Sequence, residues 1–205
     1  MAGGSIVEAL AGAGAMVLAI LGLAGLLPGY MAAIATIAIG VALLVQGGAV
    51  AARWSRLLRE TGYQGDTRVE MGGGLGAEVF GGAAGIVLGI LALLGILEMV
   101  LLPIALIAFG GALLLASGVT MELGSVGGAA MSERAEHATR EFSTGASGLQ
   151  VLAGVGSIVL GILALLGGLT PIALTLTLVG LLVVGGAIML SGGAVGSRML
   201  SVRRR

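Results

Sequence analysis

The side chains that could do chemistry are few. Glu8, Glu78 and Gln150 fall at matching places in stretches that are otherwise apolar. A carboxyl or amide group in an apolar helix can bind a proton or a cation, or frame a polar path. A local role competes with this. Ser5-x-x-Glu8 and Ser147-x-x-Gln150 have the spacing of capping boxes, which satisfy the free N–H groups at a helix start. Glu78 has Leu75 in place of the serine, but still complements the positive end of a helix. The expectation is therefore that these residues cap helix starts. The rival reading is a polar ring of Glu8, Glu78 and Gln150 at a cytoplasmic mouth, with Glu78 the one capping explains least.

Other polar groups have plainer readings. Glu133, His137 and Glu141 follow the i, i+4 spacing that a metal site can use. Met131, Ala135, Ala138 and Phe142 form an apolar stripe beside them, which leaves those charges on the wet face of an amphipathic helix. Glu98 reads as a solvated turn residue. Thr36, Ser157, Thr175 and Thr177 lie deeper, where hydroxyls bond back to helix carbonyls. The chain has no Cys and no Lys. That removes thiolate chemistry, Cys-based metal sites, Walker-type phosphate loops and Schiff-base lysines. Neither G-x-S-x-G nor H-E-x-x-H occurs. No catalytic residue, cofactor or metal is expected, and the chain reads as a non-enzyme.

The elements that hold these residues follow from composition and repetition. Of 205 residues, 58% are hydrophobic, 10% are charged and 40 are Gly; the mean hydropathy is +1.15. A soluble domain carries roughly 25% charged residues, so these values imply a membrane protein. Residues 85–95 read GIVLGILALLG, 157–167 read SIVLGILALLG, and 15–25 read AMVLAILGLAG. A second landmark follows each: ALLVQGG at 42–48, ALLLASG at 112–118 and AIMLSGG at 187–193. Apolar runs of about 20 residues fit membrane-spanning helices. The sequence predicts an all-α membrane protein with six transmembrane helices arranged as three tandem helical hairpins with pseudo-threefold repetition. The spans are placed near 5–26, 31–52, 75–97, 98–121, 148–168 and 171–195. The whole chain, 1–205, reads as a single membrane domain with repeats 5–52, 75–121 and 148–195, linkers 53–74 and 122–147, and a basic tail 196–205. A signal peptide is not expected at the N-terminus, because nothing basic precedes its apolar run.

Arg53, Arg56, Arg59, Arg68, Arg134, Arg140, Arg198, Arg203, Arg204 and Arg205 all follow the second, fourth or sixth span, and none lies in a hairpin turn. By the positive-inside rule, the linkers and both termini are cytoplasmic. Arg53, Arg56, Arg59, Arg203, Arg204 and Arg205 are expected at lipid headgroups, with Trp54 anchoring the inner interface and Tyr30 the outer one. A net charge of zero speaks against nucleic-acid binding.

Small residues recur at steps of 3, 4 and 3 on the first helix of each hairpin: Gly12, Ala15, Ala19, Gly22; Gly82, Gly85, Gly89, Ala92; Gly154, Ser157, Gly161, Ala164. Small residues let helix backbones approach in a bilayer, so the glycines Gly12, Gly82, Gly85, Gly89, Gly154 and Gly161 are expected to pack helices. Gly40 and Gly47, Gly110 and Ser117, and Gly185 and Gly192 repeat at seven on the second helices. Pro103 is out of step with Pro28 and Pro171, which predicts a fourth helix that starts late or kinks. Thr170-Pro171 reads as an N-cap followed by proline at the first helical position.

Three hairpins reading G-I-x-L-G-I-L-A-L, a turn, and a second helix with G-x-x-L-L-x-x-G resemble the HdeD family. The third copy, GSIVLGILALLGGLTPIALTLTLVGLLVVGG at 156–186, matches best. The resemblance implies a bacterial or archaeal inner-membrane protein built from a short repeat of unknown function and linked, through the family's namesake, to acid resistance. The functional expectation is a structural or stress-related protein that acts in the lipid bilayer through a homo-oligomer or a membrane-complex partner. The alternative is a small-solute or proton channel that uses the polar ring.

Overall fold

The computed structural model describes the backbone of residues 3–61, 68–127, 133–168 and 170–202, and the side chains of 7–48, 76–117, 148–168 and 170–192. Among these residues the regular structure is entirely helical: α1 (Gly3–Leu23), α2 (Pro28–Thr61), α3 (Arg68–Leu93), α4 (Glu98–Gly127), α5 (Glu133–Leu166) and α6 (Pro171–Val202). Five segments are long and apolar enough to cross a membrane: Pro28–Gly48, Gly76–Leu93, Glu98–Ser117, Gly148–Leu166 and Pro171–Gly192. The sixth, Val7–Leu23, is apolar but shorter. The protein is an all-α, multi-pass membrane protein.

The helices run further than their apolar segments. At 34 residues, α2 and α5 are each about 50 Å long, against a hydrocarbon core of about 30 Å. The segments 53–74 and 122–147, expected as linkers, are therefore helical to Thr61 and from Arg68, and to Gly127 and from Glu133. The tail expected at 196–205 is helical as far as Val202. No proline interrupts these extensions, so the backbone ladder has no reason to end at the membrane surface. The lengthening also overturns the capping assignment. Ser5 and Glu8 lie inside α1, Glu78 lies ten residues inside α3, and Ser147 and Gln150 lie well inside α5. A capping residue must sit at a helix start, and none of these does.

The first two turns share one geometry. Leu26 N–H donates to the Leu21 carbonyl at 3.1 Å and Gly25 N–H to Gly22 at 3.0 Å; Ile96 donates to Leu91 at 3.0 Å and Gly95 to Ala92 at 2.9 Å. This is the Schellman pattern, which needs a left-handed residue at the fifth of its six positions. Gly25 (φ 88°) and Gly95 (φ 78°) supply it. Each turn then places a leucine in the same region, Leu27 at φ 41° and Leu97 at φ 43°. The third turn has Gly168 at φ 62°. There Thr170 does not act as the expected side-chain acceptor: its hydroxyl donates to the Gly167 carbonyl at 2.8 Å, closing the end of α5. Pro103 lies inside a continuous α4 that already starts at Glu98, so the helix does not start late.

Helix α1 packs on α2 and α6, α3 on α2 and α4, and α5 on α4 and α6; α2, α4 and α6 also touch one another. Ile39 and Leu43 of α2, Leu102, Leu106, Phe109 and Leu113 of α4, and Leu178, Leu181, Val184 and Ile188 of α6 belong to one buried apolar cluster. Around it, backbones meet where side chains are missing. A Cβ on Gly12 would lie 2.7 Å from the Gly185 carbonyl oxygen, one on Gly40 2.7 Å from that of Gly82, and one on Gly110 2.5 Å from that of Gly154. These pairs join α1 to α6, α2 to α3 and α4 to α5. Gly89 faces Ile37 and the Ala33 carbonyl, and Gly161 faces Ile107 and the Pro103 carbonyl. Gly85 leaves the space that the Phe109 ring fills. The other small residues on these faces, from Gly22 to Ala164, are buried as well. Close approach of this kind gains dispersion contacts, the main attraction between helices where lipid is as apolar as leucine.

Candidate functional site

Glu8, Glu78 and Gln150 are carried by α1, α3 and α5, the three helices wedged between the inner ones. Glu8 stands four residues before Gly12, Glu78 four before Gly82, and Gln150 four before Gly154. Each of those glycines meets a glycine of the neighbouring helix. The backbone contacts thus set the depth of the polar groups. Four residues, about 6 Å of helix rise, separate each polar group from its glycine crossing, on the side toward the arginine-bearing ends.

All three side chains are buried, with relative exposures of 8% for Glu8, 4% for Glu78 and 7% for Gln150. Glu8 Oε1 is 2.7 Å from Ser191 Oγ of α6. Ser191 Oγ also lies 2.9 Å from the Ile188 carbonyl oxygen. On the neighbouring interface, a Cβ on Gly47 of α2 would stand 3.1 Å from Glu78 Cβ. On the third interface, Ser117 of α4 donates to the Leu114 carbonyl at 2.6 Å. Gln46, which stands in ALLVQGG where Ser191 stands in AIMLSGG, has a fully buried amide oxygen with no hydrogen-bond partner. Sequence reasoning missed Gln46 and Ser191. The signal was there, since both occupy one position of a landmark whose other residues are apolar or small.

The deeper hydroxyls are used up locally. Thr36 donates to the Ala32 carbonyl at 2.8 Å, Ser157 to Ala153 at 2.6 Å, Thr175 to Pro171 at 3.1 Å and Thr177 to Ala173 at 2.9 Å. Such i−4 bonds leave little polarity to offer a solute. Glu98 differs from its expected place in solvent. It is half-buried, and its carboxylate occupies the room left by Gly29, where a Cβ would lie 2.6 Å from Oε2. It also borders a pocket of about 400 Å³ lined by Tyr30, Ala92, Leu93, Leu97 and Met99. Among the described residues no group of three or more His, Cys, Asp or Glu could hold a metal. The side chains of Glu133, His137, Glu141, Trp54, Arg53, Arg56 and Arg59 lie outside the described residues, as do Arg203, Arg204 and Arg205 altogether.

The arrangement can bind protons or accept hydrogen bonds at one level of the bundle. No protein-family model, curated protein or solved structure matches the chain.

Proposed function

We propose that the chain is a non-enzymatic inner-membrane protein of six spans, three tandem hairpins with pseudo-threefold repetition and both termini cytoplasmic. Its role is structural or stress-related, acid-resistance-like by its resemblance to the HdeD family, and it acts through assembly with itself or with a membrane partner. The supporting observation is the filled centre. The inner helices α2, α4 and α6 meet through fully buried Ile39, Leu43, Phe109, Leu178 and Leu181. An ion entering among them would shed its hydration without gaining ligands.

One observation favours the second reading, a proton or small-solute channel: the burial of Glu8, Glu78 and Gln150 at one level. Flux through reconstituted liposomes separates the two. Parent protein should conduct protons and ions no faster than protein-free vesicles. A robust flux that disappears in Glu78→Gln would replace the assembly reading with the channel. For the assembly reading itself, subunit counting by photobleaching in native membranes should give more than one copy per spot or a constant partner; isolated single copies would sink it.

A further inference from the structure

We infer that Glu8 and Glu78 form a proton-binding site at the junction of α1, α2, α3 and α6, with Glu78 donating its carboxyl proton to the Gln46 amide oxygen and Glu8 donating to Ser191. The inference rests on proton accounting at the site and stands whether or not the protein assembles or conducts.

The four side chains come from neighbouring helices: α1 lies on α2 and α6, α3 on α2, and α2 on α6. They share one depth. Glu8 and Glu78 each precede their glycine crossings by four residues, and Ser191 and Gln46 each follow theirs, Gly185 and Gly40, by six. Gln46 is therefore placed toward Glu78 as Ser191 is placed toward Glu8, and its neighbour Gly47 abuts Glu78.

Donors and acceptors match when both acids carry protons. Ser191 has one hydroxyl hydrogen but two oxygen neighbours, the Ile188 carbonyl at 2.9 Å and Glu8 Oε1 at 2.7 Å. The carbonyl can only accept. Both bonds are made in full only when Glu8 is a carboxylic acid that donates to Ser191 while Ser191 donates to Ile188. Gln46 presents the same shortage, because its enclosed amide oxygen lacks a donor. Glu78 is 4% exposed and has no hydrogen-bond partner among the described residues. A proton on Glu78 satisfies both groups at once. Two ionised carboxylates here would be buried with no cation among the described residues, a costly state. The only other described titratable groups, Tyr30 and Glu98, sit at the starts of α2 and α4. Along α2, Tyr30 is about 24 Å from Gln46 by helix rise.

The test is infrared spectroscopy of the full chain in lipid nanodiscs at neutral pH. The parent should show the C=O band of a protonated carboxyl shielded from hydrogen–deuterium exchange. Glu78→Gln and Glu8→Gln should each lose part of that band, and the double variant all of it; Gln keeps the size and hydrogen bonding of Glu, so the fold is retained. Gln46→Leu should shift the remaining Glu78 band, because its acceptor is gone. A parent without the band overturns the inference, as does a band unchanged in both single variants. Loss of the parent's band on adding sodium at constant pH would also overturn it, by showing that a metal ion and not a proton is the ligand.

Discussion

At Gly82, one added methyl group would meet the Gly40 carbonyl oxygen at 2.7 Å and the Leu44 amide at 2.9 Å. Both obstacles are backbone, which cannot swing aside as a side-chain end can. Gly14 sits on the same sort of helix with nothing within 4 Å of an added Cβ. Gly82→Ala should cost about 1–3 kcal/mol by overpacking, while Gly14→Ala should be neutral or gain up to about 1 kcal/mol from better helix propensity. Helical circular dichroism followed through detergent-induced unfolding measures both. Equal stabilities for the two variants would mean that the helices do not meet at Gly82. Gly85 sharpens the point. The wide ring of Phe109 occupies its missing side chain, whereas the positions that correspond in the other copies are Ala15 with Ile39 and Ser157 with Val184. The largest inner residue stands where the outer helix has least to offer.

Within each hairpin a short turn joins the two helices, and two of these turns hold strained leucines. A left-handed conformation costs an L-residue roughly 1–2 kcal/mol, and Leu97 at φ 43° carries that cost while its side chain is 66% exposed. Leu97→Gly should therefore raise stability by about 1 kcal/mol. Gly95→Ala, at φ 78°, should lower it by a similar amount, about 1 kcal/mol. Thermal melts of the purified variants should move in opposite directions. If Leu97→Gly melts lower than the parent, the leucine contributes contacts in the bilayer that outweigh its backbone strain. The turns also explain why α1 stops short of the predicted end at 26. The chain reverses at Gly25, and the residues after it belong to the turn rather than the span.

For the molecule as a whole, the arginines bear on sidedness. All ten follow the second, fourth or sixth apolar span, and the cytoplasmic placement of those ends proposed above rests on the positive-inside rule. The absence of Cys makes this directly measurable. Single cysteines at Gly29 and Gly168 should react with an impermeant thiol reagent in intact cells, and one at Gly65, which lies outside the described residues, should not. Reaction at Gly65 with protection at the other two would invert the topology. The closed order of packing matters here too. Helices α1 and α6 are the most distant in sequence, yet they meet at Gly12 and Gly185 as α2 meets α3 at Gly40 and Gly82.

The sequence by itself determined the membrane class, the helical segments and the small-residue faces, because these depend on composition and on a period of 3.6 residues, both of which are local. The turn regions were legible for the same reason, and α6 begins at Pro171 as expected, whereas α2 begins at Pro28, three residues before the expected 31. Tertiary structure decided the rest. Whether Glu8, Glu78 and Gln150 cap or lie buried depended on how far each helix ran past the membrane, and no helix breaker marked that end. That Gln46 and Ser191 belong with the two acids depended on which helix lies against which. The close of α6 onto α1 brings Ser191 to Glu8 across 183 residues of chain, and a contact at that separation leaves no periodic trace in the sequence.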